Sequence, residues 1–358
     1  MPLVDCHVHL RNPVSIENLD SIRRSVGADR MNIVCSTGPH GPSANAGAFA
    51  AKAAYPDRFH ICPGLDHCVY LSGGSVAAPS LAEQVDRALA IGADGIKLLE
   101  TKPDRRKILD IPVDGDYFAP MFARAQERGV ALLWHVADPE EFWDPEQCPK
   151  WAKDAGWFYD DTHVPKEQLY AEVERVLERH AGLKVVFAHF FFLSANLPRA
   201  RSLLRRFPNI HLDLAPGVEL LYNLSRDVPA SREFFIEHAD RILYGTDIMA
   251  EQPVEEARLR AAGVVQWLSG SGEHRISAGA DHLLGDPTAG VIRGLSLPED
   301  ALARILHANF DRVFGPRPKP LDIGLALDES RRIAQTTAAV GGDSAGVLDA
   351  IRRLEQVS

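Results

Sequence analysis

A (β/α)8 barrel is the fold this sequence predicts. Eight short apolar runs alternate with longer amphipathic segments, and turn residues separate each helical pattern from the next run. The runs lie at 3–9, 31–36, 59–64, 95–100, 131–137, 184–190, 210–214 and 242–246. They are rich in Val, Ile, Leu and Phe. Several lack polar alternation, as parallel strands covered on both faces should. Between them, 80–91, 119–128, 166–180 and 200–207 carry helical periodicity. Gly92-Ala93-Asp94, Arg128-Gly129, Ala181-Gly182 and Pro208-Asn209 stop these helices ahead of the next strand. A doubly wound open sheet is second choice, because no Gly-x-Gly-x-x-Gly turn follows the first run.

Two segments exceed a minimal barrel. Residues 138–165 follow the fifth run and hold Trp143, Trp151, Trp157, Phe158 and Tyr159 among Pro, Asp and Gly. A loop this long at the carboxyl end of a barrel strand suits a lid or binding loop, and Trp143 is its candidate substrate contact. A surface excursion packed on its own aromatics is the bland alternative. From Pro316 onward three prolines break the chain, and 326–339 and 346–354 then read as helices. The barrel is therefore expected over 1–315. A helical extension over 316–358 should pack on the barrel exterior or on a neighbouring subunit, as in a homo-oligomer.

Composition narrows the partners. With 39 basic and 49 acidic residues the formal charge is −10, which argues against nucleic acid or an anionic membrane. No apolar run reaches the roughly 18 residues that span a bilayer. No basic stretch followed by an apolar one opens the chain, and the five cysteines form no disulfide framework. A cytoplasmic protein acting on a small molecule is expected.

The polar residues then fall in a pattern. His7 and His9 end the first run at spacing i, i+2, which puts both imidazoles on one face of a strand. Lys97 lies in the fourth run, His135 ends the fifth, His189 the sixth, and Asp247 follows the eighth. Five of these six stand at the carboxyl ends of strands, where barrel enzymes keep their chemistry. Burying them without partners is costly, and one divalent cation would compensate them together.

In that strand order, His7-x-His9, Lys97, His135, His189 and Asp247 resemble the metal-dependent amidohydrolase superfamily. The nearer likeness is to its amidohydrolase-related branch, with carboxymuconate-semialdehyde-type decarboxylases and lactone hydrolases. Asp5-Cys-His-Val-His9, Gly95-Ile-Lys-Leu98, Ala188-His189, Tyr244-Gly-Thr-Asp247 and His307-Ala-Asn-Phe310 carry the resemblance over residues 3–315. It implies a TIM-type barrel with a zinc-like ion, or manganese, at the strand ends.

By their chemistry His7, His9 and Asp247 would hold one ion, with His135 completing it or shared with a second. Such an ion lowers the pKa of a coordinated water toward about 7. Asp247 could take that proton and pass it to a leaving group. His189 would orient substrate, polarise a carbonyl or ligate a second ion. The resemblance implies that Lys97, as a carbamate, bridges two ions; pairing with Asp247 or Glu100 is the plainer alternative.

Asp5 shares the face of the histidines and could orient an imidazole or pack at the barrel floor. Asp213 could line the pocket, and Arg11 could bind a substrate carboxylate or phosphate. Thr246 should hydrogen-bond beside Asp247, and Asn309 should brace the closing helix. His67 and His163 read as solvated loop histidines, and Thr101–Arg106 as a solvated loop. Three functions follow: a hydrolase of ester, lactone or amide bonds, a non-oxidative decarboxylase of an aromatic or unsaturated acid, and a non-catalytic barrel. The fourth-strand lysine together with the strand-five and strand-six histidines favours hydrolysis.

Overall fold

The computed structural model describes residues 1–38, 41–217, 219–275 and 290–357. Eight parallel strands follow the apolar runs: β1 (Val4–His9), β2 (Arg30–Val34), β3 (Phe59–Cys62), β4 (Gly95–Thr101), β5 (Ala131–Val136), β6 (Lys184–Phe187), β7 (Ile210–Asp213) and β8 (Ile242–Leu243). One set pairs in the order β3-β2-β1 and the other in the order β4-β5-β6-β7-β8. Backbone hydrogen bonds join the two sets on both sides. Asp94 and Lys97 donate to the carbonyls of Ile61 and Pro63 at 2.9 and 2.8 Å. After β8 the chain bends through Tyr244–Asp247 into a two-residue strand, β9 (Ile248–Met249), which pairs with β1. Cys6 donates to Tyr244 at 3.0 Å and Asp247 to His7 at 2.9 Å, so the sheet closes into the TIM-type barrel.

Alternation along the strands builds two cores. Ile33, Ile61, Ile96, Leu98, Leu132, Trp134, Val185 and Leu212 face outward to the helices. Val4, Cys6, Val34, Cys62, Leu133, Val186 and Leu243 fill the barrel's interior together with Phe310 and Phe314. Gly95 is obligatory in that floor, since a Cβ there would lie 2.8 Å from the Ala131 carbonyl and 2.9 Å from the Phe314 ring. Above this hydrocarbon the inward positions turn polar: Lys97 on β4, then His135 on β5.

Several features differ from the sequence reading. The sixth strand ends at Phe187, because His189, Phe190, Phe191 and Phe192 all take positive φ between 49 and 57°. The eighth strand stops at Leu243. Thr101–Arg106 is no solvated loop: β4 runs to Thr101, the helix Pro103–Leu109 follows, and Thr101, Lys102 and Arg106 are buried. On β1 the pairing register shifts between Asp5 and Val8, so Cys6 packs in the inner core while Val8 packs in the outer one. That irregularity breaks the period of two, and Asp5 does not orient an imidazole. Its carboxylate accepts from Thr246 Oγ1 at 2.6 Å and from the His7 amide at 3.1 Å.

The tail helices Ile323–Ala339 and Ala345–Glu355 pack on the helix Ser43–Ala54, whose small residues Ala46, Gly47, Ala48, Ala50 and Ala51 are buried. Beneath them Lys52 Nζ, itself buried, meets Asp94 Oδ2 at 2.6 Å, and Asp94 also accepts from the amides of Ile61 and Lys319. The five cysteines are buried and unbridged. Among the described residues no helix is long and apolar enough to cross a membrane. Asp94→Ala strands the Lys52 ammonium without its carboxylate and should cost about 3–5 kcal/mol. Urea unfolding reads this directly, and a loss below about 1 kcal/mol would contradict the pairing's role.

Candidate metal centre

His7 and His9 arrive on a strand whose neighbours fix both rings. His7 Nδ1 donates to Asp213 Oδ2 at 2.8 Å, and His9 Nδ1 donates to the Val34 carbonyl at 2.9 Å. With hydrogen on Nδ1, each imidazole presents an Nε2 lone pair. These two nitrogens lie 3.2 Å apart, and Asp247 Oδ1 is 3.5 Å from the first and 3.0 Å from the second. Three acceptors face one another at distances close to the ~3.3 Å edge of a tetrahedron of donors 2.0–2.1 Å from zinc. Lone pairs so arranged repel unless a cation lies between them. The donor set fits a divalent ion, and all three residues are buried.

Burial, and then the nearby Lys97 charge, hold His7 well below the usual histidine range. Burial pushes the Asp247 carboxyl upward, but its close contacts with the His9 and His7 imidazoles outweigh it and keep the group well below the usual range. Asp247 adopts φ 58°, which turns its carboxylate into the barrel mouth.

Lys97 and His189 flank this group. Lys97 Nζ, almost fully buried, lies 3.5 Å from His7 Nε2. Burial shifts its amine downward toward the neutral form, against the attraction of Asp213 and Asp247. It pairs with neither Asp247 nor Glu100; Glu100 instead meets His67 Nε2 at 2.8 Å. His67 is therefore no solvated loop histidine, and its other nitrogen reaches Tyr117 Oη at 3.1 Å. His189 donates from Nδ1 to the Ala215 carbonyl at 2.9 Å, and burial followed by repulsion from His135 pushes its pKa down to about 4. The ring is thus neutral at pH 7 with an Nε2 lone pair, which cannot polarise a carbonyl by donating a hydrogen bond. His135 stands outside the close group. Its Nε2 sits 2.9 Å from the Ala137 carbonyl and 3.2 Å from Asp138 Oδ1, with its ring 4.8 Å from that of His189.

A cavity of about 390 Å3 opens over His9, Lys97, His135, His189 and Asp247. Arg11 lines it, as the sequence suggested. Asp213 does not: it is sealed behind His7, accepting also from the amides of His189 and Ala215 at 2.8 and 3.1 Å. Trp143 does not either. It faces a neighbouring cavity beside Lys166, while Phe142, Trp151 and Trp157 of the same loop form the wall of the main one. Lys102 and Asp138 also line the main cavity, and nothing local in the chain marks them because the two partners lie 36 residues apart.

A closed parallel barrel brings a His-x-His pair and a strand-eight aspartate together at its carboxyl mouth, where barrel enzymes keep their chemistry. The chain belongs to the amidohydrolase family, whose model matches residues 4–315. No curated protein matches the chain. Among solved structures, 5-carboxyvanillate decarboxylase of Sphingomonas paucimobilis aligns with a TM-score of 0.52 at 15% identity, covering 87% of this chain and 98% of that one. A probable 2-pyrone-4,6-dicarboxylic acid hydrolase of Acinetobacter baumannii gives 0.51 at 13%, covering 88% and 100%. A zinc-bound amidohydrolase of Burkholderia multivorans gives 0.53 at 14%, covering 88% and 99%. At such identities these likenesses show the fold alone.

Because Asp213 holds His7 in one tautomer, Asp213→Asn should weaken zinc affinity by roughly 10–100-fold while leaving the circular dichroism of the barrel unchanged. Chelator competition measures it. Unaltered affinity would remove Asp213 from the centre.

Proposed function

We propose that this chain is a metal-dependent hydrolase that cleaves an ester, lactone or amide bond of a small molecule. His7, His9 and Asp247 would hold the ion, zinc by preference for their nitrogen and oxygen donors and manganese as second choice. When bound, the ion supplies Lewis acidity and lowers the pKa of water toward about 7.

The chain's own residues account for the rest. The observation that carries the reading is that Lys97 and His189, both buried, bring nitrogen atoms to this centre while neither forms an ion pair with a carboxylate. Asp247 is the acceptor for the proton released as a water oxygen bonds to the acyl carbon. It returns that proton to the departing oxygen or nitrogen as the C–O or C–N bond breaks. His189 would supply an acceptor or a second-ion ligand, and Lys97, on adding CO2 to its neutral amine with loss of a proton, would become an anionic carbamate able to hold an ion. The cavity falls within the 300–1,000 Å3 of small-molecule sites. Arg11 at the cavity and the walls of Phe142, Trp151 and Trp157 would hold the body of the substrate.

A second reading, non-oxidative decarboxylation, is favoured by His135, whose Nε2 is engaged by Asp138 and so leaves a one-ion ligand set. Two kinds of measurement separate them. Zinc- or manganese-loaded protein is screened on lactones, esters, amides and aromatic carboxylates, and ions and carbamate are counted by metal analysis and mass spectrometry. Hydrolysis with two ions and a carbamylated Lys97 supports the proposal; one ion with release of CO2 supports the second reading. Asp247→Asn should cut kcat by at least ~10² with the fold retained, and undiminished turnover would end its role in proton transfer.

A further inference from the structure

We infer that Asp138 is a positioning residue that locks the aromatic loop onto His135, so that closure of the loop and orientation of that imidazole are one event. The effect on rate rests on the proposed metal-centre chemistry; the coupling itself does not.

The argument starts at the end of β5. Ala137 takes φ 62°, turning the chain so that the carboxylate of Asp138 faces back toward His135. The carboxylate is buried and collects donors from three separate places. Lys102 Nζ reaches it from the end of β4. His135 Nε2 lies 3.2 Å away, and Tyr159 Oη, from the far end of the loop, donates at 2.5 Å. Lys102 also contacts Tyr159 Oη at 3.1 Å and places its ammonium 4.4 Å from the centre of the Trp157 ring. One ion pair is thus capped on the loop side by a phenol and an indole, and joined on the barrel side to a histidine of the mouth. Lys102, His135, Asp138 and Trp157 all line the main cavity.

Beyond this lock the loop's apolar ties to the main core are those of Trp143 and Val164. Phe142, Cys148, Ala152 and Tyr159 form a small core of their own, apart from the two barrel cores. Its ties to the helices include the bond from exposed Lys107 to Thr162 and the pairing of Lys166 with Glu140. Segments with few shared apolar contacts open locally at low free energy. When Tyr159 and Trp157 withdraw, water reaches Asp138, and the carboxylate no longer holds His135 Nε2 in a dry setting where that bond is strong. An open loop therefore leaves the imidazole on the Ala137 carbonyl alone, 2.9 Å from Nε2, and a closed loop adds the carboxylate that fixes it.

The decisive variant is Tyr159→Phe, which removes one hydroxyl from the loop and leaves His135 itself untouched. Two readouts need neither metal nor substrate: the rate at which protease nicks residues 138–165 of the full-length chain, and the ring 15N shifts of His135, assigned by comparison with His135→Gln. Losing a hydrogen bond to a charged acceptor should raise nicking by roughly tenfold or more, since slow cleavage follows the open population. The His135 shifts should move with it. Asp138→Asn should do the same, and in loaded enzyme both should lower kcat more than they change KM. The paired change Lys102→Met with Asp138→Leu leaves no unpaired buried charge, so the fold persists while the loop opens. Faster nicking with His135 shifts unchanged in Tyr159→Phe would overturn the coupling, and so would unchanged nicking in all three variants. Coupled changes in a chain that turns over no acyl substrate would uphold the lock and sink only the hydrolase reading.

Discussion

The carboxylate of Asp213 is the constraint on which the mouth of the barrel depends. It stands at the end of β7 and takes three hydrogen bonds, from His7 Nδ1, the His189 amide and the Ala215 amide. Burial raises its pKa, opposed by the adjacent His189 ring and amide and by Lys97. Each bond to it does a different job. The first fixes the tautomer of His7 and so decides which nitrogen faces Asp247. The second anchors the chain where it leaves β6 for a left-handed turn, and the third closes the corner after β7. Strands 1, 6 and 7 are thereby referred to one point, and the imidazoles of His7 and His189 end with ring centres 5.2 Å apart. A neutral amide in that place could not satisfy three donors as well, because each bond gains strength from the acceptor's charge in a dry setting.

The same mouth concentrates backbone strain. Ala137, His189 with the three phenylalanines after it, and Asp247 all hold positive φ, each just past a barrel strand. For residues with a Cβ this costs on the order of 1–3 kcal/mol per position, and it persists only where surrounding bonds enforce it. Here they do. Asp247 donates its amide to the His7 carbonyl, Ala137 donates to the Thr101 carbonyl, and the Phe191 carbonyl accepts from Tyr170 Oη. Phe190 stacks on Phe235, and Phe187 lies 4.2 Å from Phe191, centre to centre. Of the positive-φ residues, His189, Phe192 and Asp247 line the cavity, whereas Phe190 and Phe191 pack into the outer core.

How far the sequence revealed this follows from which interactions are local. Strand composition is local, so all eight apolar runs became strands, and the spacing of His7 and His9 told which face they share. The register shift on β1 is not local, since it arises from pairing with a second strand, and it moved Asp5 from the histidines to Thr246. Val-Val-Phe-Ala-His-Phe-Phe reads as unbroken strand because left-handed phenylalanines have no compositional mark; only the Asp213 anchor ends the strand early. Lys102 looked solvated among charged neighbours, because the carboxylate that buries it lies at the far end of the next strand. Trp143 and Trp157 were indistinguishable as aromatic loop residues until the fold of the loop chose which one faces the cavity.

Electrostatics along the barrel axis tie the centre together. Below Lys97 the interior carries hydrocarbon, the thiols of Cys6 and Cys62 and the neutral Asn32 amide, and burial pushes the Cys62 thiol up to about 12. The carboxylates that attract its proton are Asp213 and Asp247, both on the mouth side. Asp247 is also the carboxylate that the paired imidazoles share, so an ion held there draws on the same negative charge that an ammonium would need. Two cations in that space repel at short range in a weakly screening interior. Binding of an ion at these residues and proton loss from Lys97 would therefore be linked, each favouring the other.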